Sequence, residues 1–369
     1  MIYIGAEHIL SSLGSSASDN FREALKGNSG LKVNHDKISG GNKPLGILNN
    51  FELIKGYSKV ESMCISSASA CLSGIDNRSF SDKWLVILST TKGDIDHLVK
   101  GDIDKAKPTY LAKRVAEKLP ITSDVMLVSN ACISGLLAII TANDLVLTGK
   151  YEHVLVIGVD VVSSFTTNGF ESFYALSKNP SAPFDKNRTG LSLGEAASSV
   201  IVSSSKEIYK ESPMIISGGA SANDANHISG PSRDGEGLVR AINSTLKIAS
   251  VKSEEIDFIS AHGTGTRFND DMESIAFTRC NLNKVPINSM KGYFGHTLGA
   301  AGVLELSMSI QSMRNGQMIK TLGCSTPGTS EEINVLMEND KAELKTVLKT
   351  ASGFGGCNAA IIIKMDQGS

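Results

Sequence analysis

Val125-Met126-Leu127-Val128-Ser129-Asn130-Ala131-Cys132-Ile133-Ser134-Gly135 begins as a short aliphatic run and ends as the opening of a helix. Four apolar residues closed off by Ser129 and Asn130 have the length of a buried strand. The run Leu136-Leu137-Ala138-Ile139-Ile140 then carries an apolar pattern on towards Thr148, which is helix length. The stretch predicts a strand, a turn and a helix over Cys132–Thr148, with the cysteine at the turn. A thiol at a helix N-terminus faces the positive end of the helix dipole, which favours thiolate. The free N–H groups there point at whatever the sulfur attacks.

The same alternation runs outward in both directions. Strands are expected at Trp84–Ser89, His153–Gly158, Ser198–Val202, Met214–Ser217, Ile256–Ser260, Val285–Asn288, Val347–Ala351 and Ala359–Ile363. Helices are expected at Ser18–Lys26, Pro108–Leu119, Glu236–Ala249, Asp270–Cys280 and Gly299–Arg314. This predicts an α/β fold around a buried, largely parallel sheet. Phe294-Gly295-His296-Thr297-Leu298-Gly299 repeats the opening motif: it follows a strand, opens an apolar helix and places a reactive side chain three residues before a glycine. Two related halves are therefore expected, residues 1–205 with the cysteine and residues 206–369 with the histidines. They join across the polar stretch Ser203–Pro213 and pack together, since no flexible linker separates them.

Composition narrows the function. Across 369 residues, 36 Lys and Arg stand against 38 Asp and Glu, for a net charge of -2. That balance provides no broad field for gripping nucleic acid. Hydrophobic residues at 41% with only 9 prolines mark a folded chain, and 35 glycines with 5% aromatics point to close backbone approaches. The apolar runs are too short to span a membrane, and Met1-Ile2-Tyr3-Ile4-Gly5 has no signal-peptide character, so a cytoplasmic protein is expected. Cys64, Cys71, Cys132, Cys280, Cys324 and Cys357 match no zinc spacing and read as reduced thiols.

Two histidines follow strands. His262 lies in Ile259-Ser260-Ala261-His262-Gly263-Thr264-Gly265-Thr266, and His296 in Lys291-Gly292-Tyr293-Phe294-Gly295-His296. Ligand sites of α/β sheets lie beyond the carboxyl ends of strands, which is where both fall. Neither neighbourhood has H-x-x-x-H or H-E-x-x-H spacing, so no metal is expected there. Gly353-Phe354-Gly355-Gly356 lacks the Lys-Ser/Thr of a phosphate loop.

Taken in order, Cys132, His262-Gly-Thr-Gly-Thr, Lys291 with His296-x-x-Gly-Ala-Ala-Gly, and Gly353-Phe354-Gly355-Gly356-x-Asn358 resemble the elongating, Cys-His-His branch of the β-ketoacyl synthases. Ala182-Pro183-Phe184-Asp185-Lys186-Asn187-Arg188-Thr189-Gly190 is similar to a further segment of that family. The resemblance is strongest from Val125 onward. It implies a thiolase-like fold, two pseudo-twofold-related βα halves packed as α-β-α-β-α layers. It also implies decarboxylative condensation of an acyl group held on Cys132 with malonyl-acyl carrier protein, in fatty-acid or specialised polyketide or polyene synthesis.

The roles implied are specific. The N–H groups of Cys132 and Phe354 form an oxyanion hole, and His262 and His296 stabilise the enolate. Lys291 is a positive charge near the pair, held by Glu273, or else half of a purely structural ion pair. Thr264 and Thr266 bind the pantetheine arm. Phe354 gates the acyl pocket on a loop made mobile by Gly353 and Gly355, packing against Asp224-Ala225-Asn226-His227. No cofactor beyond the carrier's phosphopantetheine is implied. The expected partners are acyl carrier protein, docking on a local basic patch, and a second ketosynthase-like chain in a homodimer or heterodimer.

The departures from the family pattern are the shortened region Leu88–Asp124, Ser352 in place of an aromatic, the bulky Ile133, and Phe184 where Trp is common. The alternatives are a non-elongating, chain-length-factor-like subunit, a thiolase using Cys357 as its second cysteine, and a cysteine acyl-hydrolase.

Overall fold

The computed structural model describes residues 1–34, 42–49, 51–76, 80–123, 125–224, 226 and 230–366. Asp124, Ala225 and His227 lie outside the described residues. Ten strands form one sheet: β1 (Ile2–Ser11), β2 (Trp84–Ser89), β3 (Val125–Val128), β4 (His153–Asp160), β5 (Ala196–Ser203), β6 (Met214–Asn223), β7 (Phe258–Ser260), β8 (Ile287–Asn288), β9 (Thr346–Gly353) and β10 (Cys357–Met365). The main helices are α1 (Ala17–Leu25), α2 (Lys59–Ser73), α3 (Pro108–Ala116), α4 (Ser134–Leu147), α5 (Ser164–Ser172), α6 (Glu236–Ala249), α7 (Arg267–Arg279) and α8 (Ala301–Asn315).

The strand order is β8-β7-β9-β10-β6-β1-β5-β4-β2-β3. Read outward from its middle, each half is the other with five added to every strand number. In the first half β1–β5 and β5–β4 are antiparallel while β4–β2 and β2–β3 are parallel. In the second half β6–β10 and β10–β9 are antiparallel while β9–β7 and β7–β8 are parallel. The halves join where Ile2, Tyr3 and Ile4 of β1 pair antiparallel with Ile216, Ile215 and Met214 of β6.

The sheet is therefore mixed, with five of its nine neighbouring pairs antiparallel, and not largely parallel as the sequence suggests. The physical reason is burial. Val154-Leu155-Val156-Ile157 in β4 and Ile361-Ile362-Ile363 in β10 are covered on both faces. Such strands read as continuous apolar runs whatever the direction of their neighbours. Strand β1 and helix α2 were not among the elements expected from sequence. Helix α2 begins with a capping box in which Ser58 and Glu61 bond each other's backbone N–H.

Three apolar clusters mark the layers. Met63, Ala68 and Leu72 of α2 and Leu111 and Val115 of α3 cover one face of the first half-sheet. Leu238 and Ile242 of α6 and Met272 and Phe277 of α7 cover one face of the second. Between the half-sheets lie α4 and α8, where Leu136, Ile139, Val303 and Ile310 pack against strands of both halves. These are the α-β-α-β-α layers. At the crossing of α4 and α8 the backbones nearly touch: a Cβ on Gly302 would lie 2.2 Å from the Leu136 nitrogen, and one on Gly135 would lie 2.9 Å from the Gly299 oxygen. Only glycine permits that approach, so the two repeated motifs meet face to face.

Candidate active site

The turn after β3 carries Cys132. Ala131 takes the left-handed conformation with φ 43, and Ile133 caps α4, which starts at Ser134 rather than at Cys132. The Ser134 hydroxyl donates to the Ala131 carbonyl at 2.6 Å and accepts from the Asn130 N–H at 2.7 Å, locking the bend. A non-glycine residue at positive φ is uncommon and persists where surrounding bonds over-determine it. Cys132 is thereby turned inward, buried, towards the second half of the chain.

His262 follows β7 and His296 follows the turn after β8. The Cys132 sulfur and one nitrogen of each imidazole all lie within 4.8 Å of one another. The two rings meet edge to face with centroids 5.1 Å apart. The Leu298 N–H donates to Nδ1 of His296 at 3.2 Å, so the neutral ring carries its proton on Nε2. That Nε2, and Nδ1 of His262, find no hydrogen-bond partner among the described residues. Burial, assisted by the nearby ammonium of Lys291, pushes both imidazoles well below their ordinary range, so both rings are uncharged.

Burial also governs the thiol. It pushes Cys132 up to about 12, with Cys357 adding to the rise; Lys291 and the Phe354 N–H, which bonds the sulfur, pull the other way. The resting group is a thiol, contrary to the thiolate expected from the helix dipole. Loss of water costs the anion more than a dipole end two residues away returns. Cys357 lies close by, but its thiol donates to the Phe354 carbonyl at 3.3 Å and the Asn130 carbonyl at 3.8 Å.

The segment after β7 is held by its N–H groups. Glu273 of α7 accepts from the N–H of His262 at 2.8 Å and of Gly263 at 2.7 Å. Asp270, one turn earlier, accepts from Thr264 at 2.9 Å, Gly265 at 3.1 Å and Phe184 at 2.8 Å. Arg188 pairs with Asp270 and Asp271, tying the Phe184–Gly190 segment to α7. Glu273 thus does not hold Lys291, as expected from the sequence. Lys291 Nζ pairs instead with Glu305 of α8 and donates to the His262 carbonyl at 3.1 Å.

Glu305 also meets Lys349 of β9, at 2.6 Å. Sequence reasoning missed both Glu305 and Lys349. The signal was a lone acid inside an apolar helix and a lone cation in Val347-Leu348-Lys349-Thr350-Ala351, each a charge where burial was expected.

Two cavities reach Cys132. One, of about 80 Å³, is lined by His262, His296, Thr264, Thr266 and Phe354. The other, of about 260 Å³, is lined by Phe165, Phe170, Phe173, Leu298 and Phe354. Phe354 stands between them. Its ring stacks on Phe170 at 5.5 Å and meets Phe173 edge-on at 5.6 Å, two aromatic partners absent from the sequence-derived set. Gly355 takes φ 82 in the tight turn joining β9 to β10. The Asp224 N–H donates to the Gly356 carbonyl at 2.8 Å, so Asp224 does contact this turn. Ser352, which stands where the family has an aromatic, donates to Asn358 at 2.7 Å across the base of this turn.

Among the described residues no helix is long and apolar enough to cross a membrane. Family models for the N-terminal and C-terminal domains of β-ketoacyl synthases match residues 65–207 and 214–325. The chain is 29% identical over 320 residues to the tetracenomycin polyketide synthase ketoacyl synthase alpha subunit of Streptomyces glaucescens, covering 81% of this chain and 73% of that one. It is 32% identical over 256 residues to 3-oxoacyl-acyl-carrier-protein synthase 2 of Rhizobium meliloti, covering 65% and 61%. In structure it resembles the ketosynthase ApeO of Xenorhabdus doucetiae, solved with its chain length factor ApeC, at a TM-score of 0.85 and 26% identity over 99% of this chain and 98% of that one. With a cysteine and two uncharged histidines gathered between two equivalent half-sheets, and with both domain models matched, the chain belongs to the β-ketoacyl synthase family of acyltransferases.

Proposed function

We propose that this chain is an elongating condensing enzyme that joins an acyl group carried on Cys132 to a malonyl unit carried on acyl carrier protein. The observation that carries the reading is the meeting of the Cys132 sulfur with the nitrogens of two uncharged imidazoles within 4.8 Å. In the first half-reaction the Cys132 sulfur bonds the acyl carbon, the bond to the phosphopantetheine sulfur breaks, and the thiol proton passes to that departing sulfur. The N–H groups of Cys132 and Phe354 receive the charge on the carbonyl oxygen. In the second, the malonyl carboxylate leaves as CO2 and the remaining enolate attacks the acyl carbon. The bond to Cys132 breaks, and the thiolate takes up a proton from solvent.

Two neutral imidazole N–H donors suit the enolate step, because they stabilise the developing oxyanion without first having to lose a charge. Thr264 and Thr266 line the narrow cavity on one side of Phe354 and receive the pantetheine arm. The aromatic cavity on the other side receives the acyl chain, with Phe354, flanked by Gly353 and Gly355, as the gate. Residues 1–205 supply the nucleophile and residues 206–369 the histidines, Lys291 and the gate. The partners are an acyl carrier protein and a second ketosynthase-like chain, and the setting is cytoplasmic.

The test is to supply acyl- and malonyl-acyl carrier protein and measure CO2 and β-ketoacyl product. Condensation that survives in Cys132→Ala would overturn the mechanism. If Cys132 takes up no acyl group while the chain still pairs with an active ketosynthase, it is the partner subunit instead.

A further inference from the structure

Beneath the histidine pair lies a cluster of three buried charges. Glu305 of α8, 3% exposed, bridges Lys291 and Lys349, both fully buried. The Lys349 ammonium donates to the carbonyls of Ser260 at 3.2 Å and Ala261 at 3.1 Å, and Lys291 takes the next carbonyl, that of His262. Three consecutive carbonyls leading up to His262 thus point at two cations. The N–H groups of His262 and Gly263 point the other way, at Glu273. One lysine with one carboxylate would be a neutral pair. The second lysine gives the cluster one more cation than it has carboxylates, in a buried setting where such a charge is costly and acts over a long range; burial pulls the Lys349 ammonium below its ordinary value, and Glu305 offsets part of that.

We propose that Lys349 is a positioning residue of the condensing site, whose ammonium, linked to Lys291 through Glu305, anchors the strand end carrying His262 and keeps the His262–His296 pair in its uncharged, hydrogen-bond-donating form. This rests on the condensing reading of the site. The charged groups around the pair are consistent with it. Lys291, Lys349 and, for His296, Lys92 all oppose a second positive charge on the rings. The acids nearby are already engaged: Asp160 with Lys92 at 2.7 Å, Glu305 with the two lysines, and Glu273 and Asp270 with backbone N–H groups and Asn269. No carboxylate hydrogen-bonds either ring among the described residues, and the Cys132 thiol that faces both rings is held uncharged by burial, so no resting anion there rewards protonation.

The experiment compares the pH dependence of malonyl-carrier decarboxylation in the full-length wild type, Lys349→Met and Lys349→Arg. Removing a cation makes the rings easier to protonate, so the acid limb of Lys349→Met should move up by about half a pH unit or more, while Lys349→Arg keeps the wild-type limb. A Lys349→Met enzyme that is slower but keeps its acid limb would overturn the proposal, because a purely structural role lowers the rate without moving the limb. If Lys349→Met does not fold, the histidine rings of the folded wild type are titrated by nitrogen NMR. Either ring gaining its proton at or above the ordinary histidine value, about 6.5, would overturn the proposal equally. Wild type that decarboxylates nothing counts against the condensing reading instead, and the NMR titration stands apart from that result.

Discussion

Glu273 and Glu305 are both buried carboxylates on helices, and both lie close to His262, yet they do opposite work. Glu273 accepts from the N–H groups of His262 and Gly263 and faces no lysine side chain within hydrogen-bond reach among the described residues. Glu305 faces two ammonium groups. The first holds the loop in shape from its nitrogen side. The second fixes the charge of the site from the carbonyl side. A carboxylate balanced by backbone dipoles and one balanced by full charges respond differently to mutation and to pH, which makes the contrast measurable.

The largest effect is expected at Glu305. Glu305→Ala leaves two buried ammonium groups without their shared carboxylate and should cost about 3–5 kcal/mol of stability, read from denaturant midpoints; a loss as small as that of an ordinary surface change would mean the cluster is hydrated or uncharged. Glu273→Gln keeps one acceptor but turns an amide N–H towards the other backbone N–H, and should cost about 1–3 kcal/mol. It should also change the response to pH.

Burial and Asp270 push Glu273 up to about 7, from 4.5, so it takes up a proton on folding between those values. Its contribution to stability is full below about pH 4.5 and is lost as pH rises through about 7. The depressed histidines have the other sign: their contribution is present above 6.5 and fades as pH falls below it. In wild type the two slopes oppose each other on acidification. In Glu273→Gln only the histidine slope remains, so the melting temperature should fall more steeply between pH 6.5 and 4.5; parallel melting curves for the two proteins would break the contrast.

The smallest effect on stability is expected at Phe354, on the half-exposed side of the site. Phe354→Ala removes two ring contacts of a half-exposed side chain, together worth about 1 kcal/mol, the low end for aromatic pairs, and it opens the passage between the two cavities. Acyl loading of Cys132, followed by intact-protein mass spectrometry, should become less selective for chain length while the melting temperature changes little. Unchanged selectivity would remove Phe354 from the gate.

Much of this site was legible from sequence because its residues announce themselves locally. Cys132 sits at a strand–helix turn, and His262 and His296 each follow a strand and neighbour glycines, so type and spacing located them. Glu305 and Lys349 carry no such punctuation. They are separated by 44 residues, and only the stacking of α8 against β9 brings them together. The pairing assigned to Lys291 failed because Glu273, 18 residues upstream on α7, turns its carboxylate to the backbone, and the true partner Glu305 lies on another helix. The sheet's mixed sense was hidden because doubly buried strands lose the alternation that marks direction and exposure.

The alternation of strands and helices, the repeated motif at Cys132 and His296, and the types of group available for chemistry are all local properties of the chain. These depend on local backbone preferences and on the periodicity of apolar residues. That the thiol rests protonated and the imidazoles uncharged, and which carboxylate faces which lysine, follows from packing between distant segments. Those depend on loss of water and on distances between charges far apart in the chain, and neither quantity exists until the two half-sheets have closed over α4 and α8.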